Sequence, residues 1–309
     1  MGVGKIREYT SAWHAARSLK STPSVLYRGD CKDLIERMPD NSVDLVIASP
    51  PYCMGKEYDR SQTVEDFIAD QRRILPEIAR ITKQGGSICW QVGYHVKVGG
   101  ATYPLDYAIF SVLHGLDGIT LRNRIIWTFG HGLNARNKFS GRHETVLWFT
   151  KGERYVFNLD PVRLPQKYPG KRKANGPRKG EFSGNPLGKN PSDVWAIPNV
   201  KAKHIEKLQH PCQFPVGLAV RLVLALSPHN GRVFDPYMGT GSTGVAAILN
   251  GRRFVGAEIK RKYMQLARER LGSAYAGTVR YRPLEKPIFE PHSGLAVAKR
   301  PVHFVEYSR

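Results

Sequence analysis

The sequence predicts an α/β fold with a mostly parallel sheet and right-handed crossovers. Short apolar runs of strand length alternate along the chain with segments whose apolar residues recur at helical spacing. The 309 residues are 41% hydrophobic and 10% aromatic, which excludes a disordered chain and provides enough material for a sizeable core. No repeat of fixed period is visible, so solenoids and propellers are not expected.

Residues 24–150 carry the first part of this alternation. VLYRG predicts a strand, DCKDLIERMP a helix, and DLVIA a buried parallel strand that continues directly into SPPY, residues 49–52. The next helix is expected to start near Thr63, and Gly85 and Gly86 are expected to end that unit. SICWQVG, RIIWTF and TVLWFT predict three further strands, with Trp127 and Trp148 in the core.

Residues 208–272 carry the second part of the alternation. FPVGLAVRLVLAL predicts a helix with Pro215 in its first turn, and RVFDP predicts the strand that follows. TGVAAILN, RFVGAEI and YMQLARERL then predict a helix, a strand and a helix. Residues 1–23 are expected to form an N-terminal extension and residues 273–309 a weakly patterned tail.

The stretch from Lys151 to Lys207, called the basic segment below, loses apolar periodicity and accumulates Pro, Gly and Lys. It contains thirteen basic and five acidic residues, a net charge of +8, whereas the whole chain carries +21 and has a pI near 10.0. A loop of this length in a foldable chain is usually functional or disordered. The charge points to a polyanionic partner such as nucleic acid, and a merely solvated basic surface is the alternative.

Several other classes of protein do not fit the sequence. No apolar run is long enough to cross a bilayer, and the first residues lack the apolar core of a signal peptide. The four cysteines are scattered without a CxxC pair, which argues against a zinc ribbon or a disulfide framework. A cytoplasmic protein without a bound metal is therefore expected.

A glycine turn after the predicted strand RVFDP fits the pattern G-x-G-x-x-G through Gly239, Gly241 and Gly244. The next strand ends at Glu258, 23 residues beyond Asp235, where an acid can hold a ribose diol. A nicotinamide-dependent dehydrogenase is one interpretation of this pattern, and a turn without a ligand is another. Asp235 is expected to face the ligand, repelling dinucleotide phosphates and attracting the ammonium of S-adenosylmethionine.

The SPPY motif lies where ligands bind in α/β sheets, directly after a buried strand. Two prolines lack N–H groups, so the turn presents carbonyl oxygens without competing donors. The hydroxyl of Ser49 and the carbonyl of Pro50 could hold the two hydrogens of an exocyclic amine while Tyr52 stacks on the planar base. That arrangement would direct the nitrogen lone pair toward a methyl donor, although a tight Pro-Pro turn without this role is equally compatible.

The ordered motifs VLYRGDCKDLIERMPDNSVDLVIASPPY, HPCQFPVGLAVRLVLALS and GRVFDPYMGTGSTGVAAILNGRRFVGAEIKRKYMQLARERL resemble the amino-methylating DNA methyltransferases, over roughly residues 24–272. Their order, with SPPY first, is similar to the permuted beta subgroup. The resemblance implies a Rossmann-like methyltransferase sheet. It also implies a catalytic half at 24–150, a target-recognition region at 151–207 and a cofactor-binding half of the same domain at 208–272.

The resemblance also implies roles for individual residues. Ser49, Pro50, Pro51 and Tyr52 match the catalytic motif, Glu258 matches the ribose-binding acid, and Asp30 matches the acid near the adenine of S-adenosylmethionine. The cofactor would further contact Cys31, His210, Gln213, Pro215, Asp235, Pro236, Met238, Gly239, Thr240, Gly241 and Ser242.

The family resemblance implies site-specific methylation of a base that is flipped out of double-stranded DNA. Ser rather than Asp at position 49, and the HPCQFP variant, are similar to cytosine-N4 enzymes, with adenine-N6 methylation as the alternative. Pro211-Cys212-Gln213 imitates the nucleophile motif of cytosine-C5 enzymes, but in the reverse order relative to the glycine turn. Cys212 is therefore expected to be a small residue at a helix start.

The DNA partner is expected to contact basic residues of two loops: Arg136, Lys138, Arg142, Lys171, Arg172, Lys173, Arg178 and Lys179. A separate restriction endonuclease is a possible second partner, and a monomer or weak homodimer is expected. A DNA-binding module without enzymatic activity would explain the charge but not the motifs.

Overall fold

The computed structural model describes residues 4–52, 63–98, 101–130 and 135–289, together with Leu295 and Lys299. Its strands are β1 (Ile6–Tyr9), β2 (Ser24–Arg28), β3 (Val43–Ala48), β4 (Thr82–Gly93), β5 (Val96–Val98), β6 (Ala101–Tyr103), β7 (Ile119–Thr128), β8 (His143–Lys151), β9 (Val194–Ala196), β10 (Arg232–Asp235) and β11 (Arg253–Glu258). Its helices are α1 (Ala12–Ser18), α2 (Cys31–Arg37), α3 (Val64–Ile81), α4 (Leu105–Leu113), α5 (Val216–Leu226), α6 (Ser242–Leu249) and α7 (Arg261–Tyr275), with a short 3-10 helix at Asp160–Val162.

Nine of the strands in the described ranges form one sheet in the order β1-β2-β11-β10-β3-β4-β8-β7-β9. In this sheet order, every neighbouring pair from β1 through β2, β11, β10 and β3 to β4 is parallel, and so is the pair β7–β9. Strand β8 runs antiparallel to both of its neighbours, β4 and β7. The mostly parallel sheet expected from the sequence is therefore confirmed. Strands β10 and β3 are neighbours with Phe234 opposite Val46, so the segments that follow them emerge at the same edge of the sheet.

Helices cover both faces of the sheet because its central strands are apolar on both sides. In β3, Leu45 and Ile47 pack into one hydrophobic cluster, while Val46 and Ala48 pack into the other. Helices α1 to α4 cover the second of these faces, and α5 to α7 cover the first. A parallel strand buried on both faces is read from sequence as a continuous apolar run, as DLVIA is.

Helix α3 begins where the sequence predicts it. Thr63 is its N-cap, and the Thr63 and Asp66 side chains each accept a hydrogen bond from the other residue's backbone N–H, forming a capping box. The helix ends at Ile81, but Gly85 and Gly86 lie inside β4 rather than between two elements. A Cβ at Gly86 would lie 2.9 Å from the carbonyl oxygen of Asp44, so close strand packing explains this glycine.

The first 23 residues, expected to be an extension, contribute a strand and a helix to the folded domain. Strand β1 pairs in parallel with β2 through Ile6 and Tyr9, and Ala15 and Leu19 are buried against the core. The short strand has mixed exposure at the edge of the sheet, so it lacks the apolar run by which a central strand is recognised. At the other end, α7 extends to Tyr275, beyond the end of the predicted cofactor-binding half at residue 272.

The basic segment leaves the sheet at the end of β8 and returns to it in β9. Trp195 in β9 pairs with Trp127 of β7 and is buried. Between these points the described backbone holds together mainly through isolated bridges, Leu164 with Lys189 and Arg172 with Phe182. Within the described ranges, no helix has the length and apolar character needed to cross a membrane.

Candidate functional site

A cavity of about 270 Å³ lies at the edge of the sheet where β2, β3, β10 and β11 end. Because parallel strands end at a common edge, the segments that follow these four strands meet around it. They contribute Gly29–Lys32, Ser49–Tyr52, Pro236–Thr240 and Ala257–Lys260 to the lining. This space is called the strand-end cavity below.

The structure brings most of the predicted site residues to the strand-end cavity. Residues of the predicted catalytic motif and residues predicted to bind the cofactor line the same cavity. The predicted residues that line it are Asp30, Cys31, Ser49, Pro50, Pro51, Tyr52, His210, Gln213, Pro236, Met238, Gly239, Thr240, Ser242 and Glu258. Pro215, Asp235 and Gly241 are not part of this lining.

The glycine turn requires glycine at two of its positions. Gly239 has φ +51° and Gly241 has φ +79°, a left-handed backbone that side chains disfavour. A Cβ at Gly241 would also approach Leu271 Cδ1 to 2.7 Å, so this residue lets α6 pack against α7. Gly239 instead faces the strand-end cavity, where its Cβ would lie 3.2 Å from His210 Nε2.

The expectation that Asp235 faces a ligand is wrong. Its side chain is fully buried beneath the turn, where Oδ1 accepts the Tyr237 N–H at 3.0 Å and Oδ2 accepts the Thr243 hydroxyl at 2.6 Å. Burial raises the pKa of Asp235 to about 7, against the lowering effect of these two hydrogen bonds. Asp235 therefore shapes the turn from below, and its charge gives no argument for or against phosphate groups in the cavity.

Two other predicted acids do line the strand-end cavity. Glu258 accepts the backbone N–H of Gly239 at 3.0 Å on one oxygen and that of Lys260 at 2.7 Å on the other. Burial raises the pKa of Glu258, while these backbone donors favour its charged form. Asp30 is exposed and caps α2 by accepting the Lys32 N–H at 3.0 Å.

The segment from His210 to Phe214 closes one side of the strand-end cavity. Ser242 Oγ donates to the Phe214 carbonyl at 2.8 Å, and the Gln213 side chain donates to the Glu206 carbonyl at 2.8 Å. Pro215 is the N-cap of α5 rather than a residue of its first turn. Cys212 is exposed in the turn before that helix, four residues ahead of Val216, so placing it at the helix start is also wrong.

A buried ion pair anchors this segment from behind. Arg270 Nη2 lies 3.0 Å from Glu206 Oε2, and the two side chains are 7% and 0% exposed. The same Glu206 oxygen accepts the Val216 N–H at the start of α5, while Arg270 Nη1 donates to Ser242 Oγ at 3.0 Å. The pair thus ties the end of the basic segment to both α5 and the glycine turn.

Helix α3 supplies a wall that the sequence motifs do not reveal. Asp70, Gln71 and Ile74 line the strand-end cavity, with Asp70 accepting a hydrogen bond from Lys32 Nζ at 2.9 Å. The buried Gln71 accepts the Trp90 indole N–H at 3.0 Å. The sequence carries a signal for the helix and its apolar face, but a polar residue on a helix gives no indication that the facing space is a cavity.

The basic residues predicted to contact DNA lie outside the cavity lining. Arg136, Lys138 and Arg142 belong to the connection between β7 and β8, of which residues 131–134 lie outside the described residues. Lys138 Nζ lies 3.5 Å from His95 Nε2, just beyond the end of β4. The other five, Lys171, Arg172, Lys173, Arg178 and Lys179, lie in the basic segment.

Three of those five cations have partners within the basic segment. The Arg172 guanidinium stacks on Phe182 at 4.3 Å from the ring centre. Lys173 Nζ and Arg178 Nε lie 3.0 Å and 3.9 Å from Glu181 Oε2. No group of three or more His, Cys, Asp or Glu side chains suited to a metal ion occurs in the part of the chain that the structure describes.

Comparison with known proteins identifies the family. The model of the N6/N4 DNA methylases matches residues 43–269. The type II methyltransferase M.BglII of Bacillus subtilis is 46% identical over 242 residues, covering 78% of this chain and 67% of that protein.

Two solved structures resemble the fold. The cytosine-N4-specific PvuII DNA methyltransferase has a TM-score of 0.64 at 18% identity, covering 82% of this chain and 92% of that one. The DNA modification methylase TTHA0409 of Thermus thermophilus, in complex with S-adenosyl-L-methionine, has a TM-score of 0.57 at 27% identity, covering 84% and 99%. Because the family model matches most of the chain and a relative is 46% identical to it, the chain belongs to the N6/N4 family of DNA methylases.

Proposed function

We propose that this protein transfers a methyl group from S-adenosylmethionine to the exocyclic N4 amine of a flipped-out cytosine in a specific DNA site. One observation carries the proposal: the SPPY motif and the glycine turn line the same strand-end cavity. A methyl donor held by the turn and an amine held by SPPY would therefore meet in one space. Family membership supports the reaction class, because these proteins are DNA methylases.

The cavity lining fits S-adenosylmethionine as the donor. The cofactor carries a sulfonium and an ammonium, and Asp30, Asp70 and Glu258 bring carboxylates to the lining. Glu258 is the last residue of β11, the position from which an acid can hold a ribose diol. Gly239 keeps the turn open beside His210. The bound cofactor supplies the electrophilic methyl group, and the chain supplies orientation and charge.

The SPPY residues support recognition of a planar base that bears an amine. Ser49 is partly exposed at the cavity, where its hydroxyl can accept an amine hydrogen, and Pro50 offers a carbonyl with no competing N–H. Tyr52 presents an aromatic ring to the same space. Because the base must leave the duplex to enter, extrusion costs a few kcal/mol, which the basic residues outside the cavity would offset through phosphate contacts.

Mass analysis of nucleosides from methylated DNA tests the proposal. Purified protein, S-adenosylmethionine labelled in the methyl group and mixed-sequence duplex DNA are expected to yield labelled N4-methylcytosine. Ser49→Ala should reduce the yield strongly while cofactor binding, measured by calorimetry, is retained. Absence of label in every nucleoside with the intact protein would contradict the proposed function.

Adenine-N6 methylation is the second candidate function. The matching family covers methylases of both amines, and the same hydroxyl and carbonyl could accept hydrogens from either one. Ser49 in place of Asp, by resemblance to the cytosine-N4 members, is the feature that favours cytosine. In the nucleoside assay, N6-methyladenine as the labelled product would replace the first candidate with the second.

A further inference from the structure

Glu144 lies beside the catalytic motif although no sequence motif points to it. It is the second residue of β8 and is paired directly with Gly93, the last residue of β4. Because β4 is parallel to β3, its end lies at the edge of the sheet where SPPY follows β3. Glu144 therefore reaches the same edge from an antiparallel strand.

The carboxyl group of Glu144 bridges two side chains. One oxygen accepts the Tyr52 hydroxyl at 3.5 Å, and the other accepts the Gln91 side-chain amide. Gly93 makes the first contact possible, because a Cβ there would lie 2.8 Å from Tyr52 Cε2. The Tyr52 side chain thus lies between the backbone of Gly93, which has no side chain, and the carboxyl group of Glu144.

The carboxyl group of Glu144 has no compensating cation nearby. Glu144 is half-buried, and the structure records no salt bridge from it to a described cation, so its charge is stabilised only by hydrogen bonds. Burial raises the pKa of Glu144 to about 7, while the hydrogen bonds from Tyr52 and Gln91 work in the opposite direction. A role in holding Tyr52 accounts for a carboxyl group at this position.

We propose that Glu144 is a positioning residue that fixes the Tyr52 ring for contact with the target base. This inference rests on the proposed methyltransferase function and deepens its base site. Glu144 is absent from the cavity lining, so it acts through Tyr52 rather than on the base itself. A tyrosine whose hydroxyl is tethered loses less conformational freedom when a base stacks on it, so the tether favours the productive complex.

Steady-state methylation kinetics of Glu144→Ala and Glu144→Gln test the proposal, with Glu77→Ala on the far part of α3 as a matched control. Glu144→Ala should lower kcat/KM for DNA about tenfold, with cofactor affinity from calorimetry within about twofold of the original. Glu144→Gln should recover most of the loss, because its carbonyl can accept the Tyr52 hydroxyl while its amide donates to a turned Gln91. Glu77→Ala should leave all parameters unchanged.

A double-mutant cycle with Tyr52→Phe separates positioning from a general structural role. If Glu144 acts through the tyrosine hydroxyl, Glu144→Ala should change kcat/KM less than about twofold in the Tyr52→Phe background. An equal loss in both backgrounds, or unaltered kinetics of Glu144→Ala in the original chain, overturns the inference. Inactivity of the original protein would instead refute the proposed function, so the two failures are distinguishable.

Discussion

At the cofactor end of the sheet, Asp235, Glu206 and Arg270 are buried and each accepts or donates several hydrogen bonds. Between residues 165 and 187 of the basic segment, by contrast, no residue is buried. In the first region, a dense network of polar side chains beneath the glycine turn holds the neighbouring segments together. The second holds its shape through bridges such as Arg172–Phe182 and surface pairs such as Lys173–Glu181.

The difference between the two regions matches the difference between the two ligands expected to bind them, a methyl donor and DNA. A methyl donor is the same molecule in every turnover, so its site can be rigid and can be encoded in short motifs whose backbone geometry allows few residues. A DNA site has to be contacted over a large polar surface, which needs charge and reach rather than a buried core. Substitutions at the cofactor end should therefore change stability and cofactor binding, whereas substitutions of exposed residues between positions 165 and 187 should change DNA affinity alone.

The largest effect is expected from breaking the Glu206–Arg270 pair. Arg270→Ala leaves the fully buried Glu206 carboxylate without its cation, so the free energy of unfolding should fall by about 3–5 kcal/mol. Urea denaturation measures the loss. Arg268→Ala, which removes only a partly exposed pair with Glu8 at 3.6 Å, should cost less than about 1 kcal/mol. Equal losses for the two variants would show that the network is not what holds this region.

Removing exposed cations from the basic segment should produce the next largest effect, on DNA affinity. Exchanging Lys171, Arg178 and Lys179 for Gln should lower the slope of log Kd against log salt by about 0.9 for each lost phosphate contact. Thermal unfolding should be unchanged. The matched control exchanges Lys5, Arg7 and Lys20 near β1, which should leave the slope as it was. A slope that falls equally in both triple variants would mean that the positive charge acts only as a diffuse field.

A smaller effect is expected at Gly239. Its φ of +51° and the 3.2 Å approach of a Cβ to His210 predict that Gly239→Ala costs about 1–2 kcal/mol and weakens S-adenosylmethionine binding about tenfold or more. Gly272→Ala is the control, because this glycine lies within α7 with no atom within 4 Å of its would-be Cβ. That change should stabilise the protein by up to about 1 kcal/mol. Calorimetry showing unaltered cofactor binding by Gly239→Ala would place the cofactor elsewhere.

The smallest effect concerns pH. Because the pKa of Asp235 is raised to about 7 in the folded protein, the folded state holds a proton that the unfolded state has released. Its contribution to stability is therefore present at low pH and is lost as the pH rises through about 7, by about 1 kcal/mol between pH 6 and pH 8.

Asp235→Asn keeps an acceptor for Tyr237 and a donor for Thr243, so it should fold and should remove this part of the pH dependence. Urea denaturation at the two pH values measures it. The exposed Glu153→Gln should leave the dependence unchanged. An Asp235→Asn variant with the original pH dependence would show that this carboxyl is already ionised in the folded protein.

The sequence predicts the core of the sheet well because physical constraints there are local. DLVIA, RVFDP and the glycine turn follow from apolar runs and from backbone angles that only glycine tolerates, and all of them are confirmed. The sequence does not show which way a side chain at a strand end points. Asp235 ends β10 with its carboxyl group buried under the turn, a result of tertiary packing against Thr243 that no pattern encodes.

Contacts between segments that are distant in the sequence cannot be predicted from the sequence pattern either. Asp70 and Gln71 reach the strand-end cavity only because α3 packs beside α2, and Glu144 reaches Tyr52 only through the antiparallel pairing of β8 with β4. No sequence pattern predicts strand β1, because an edge strand of mixed exposure has no apolar run. The basic segment lacks any periodicity, so its charge could be counted from the sequence but its return to the sheet at Trp195 could not.

Single-turnover methyl transfer by the intact protein and by Ser49→Ala, with cofactor binding measured on the same samples, tests most directly whether the strand-end cavity joins a donor site to a base site. The two proteins are expected to bind S-adenosylmethionine with equal affinity. Methyl transfer to duplex DNA should be at least about 100-fold slower for Ser49→Ala, because the amine loses an oriented acceptor. Equal transfer rates for the two proteins would contradict the assignment of Ser49 and Pro50 to the target amine.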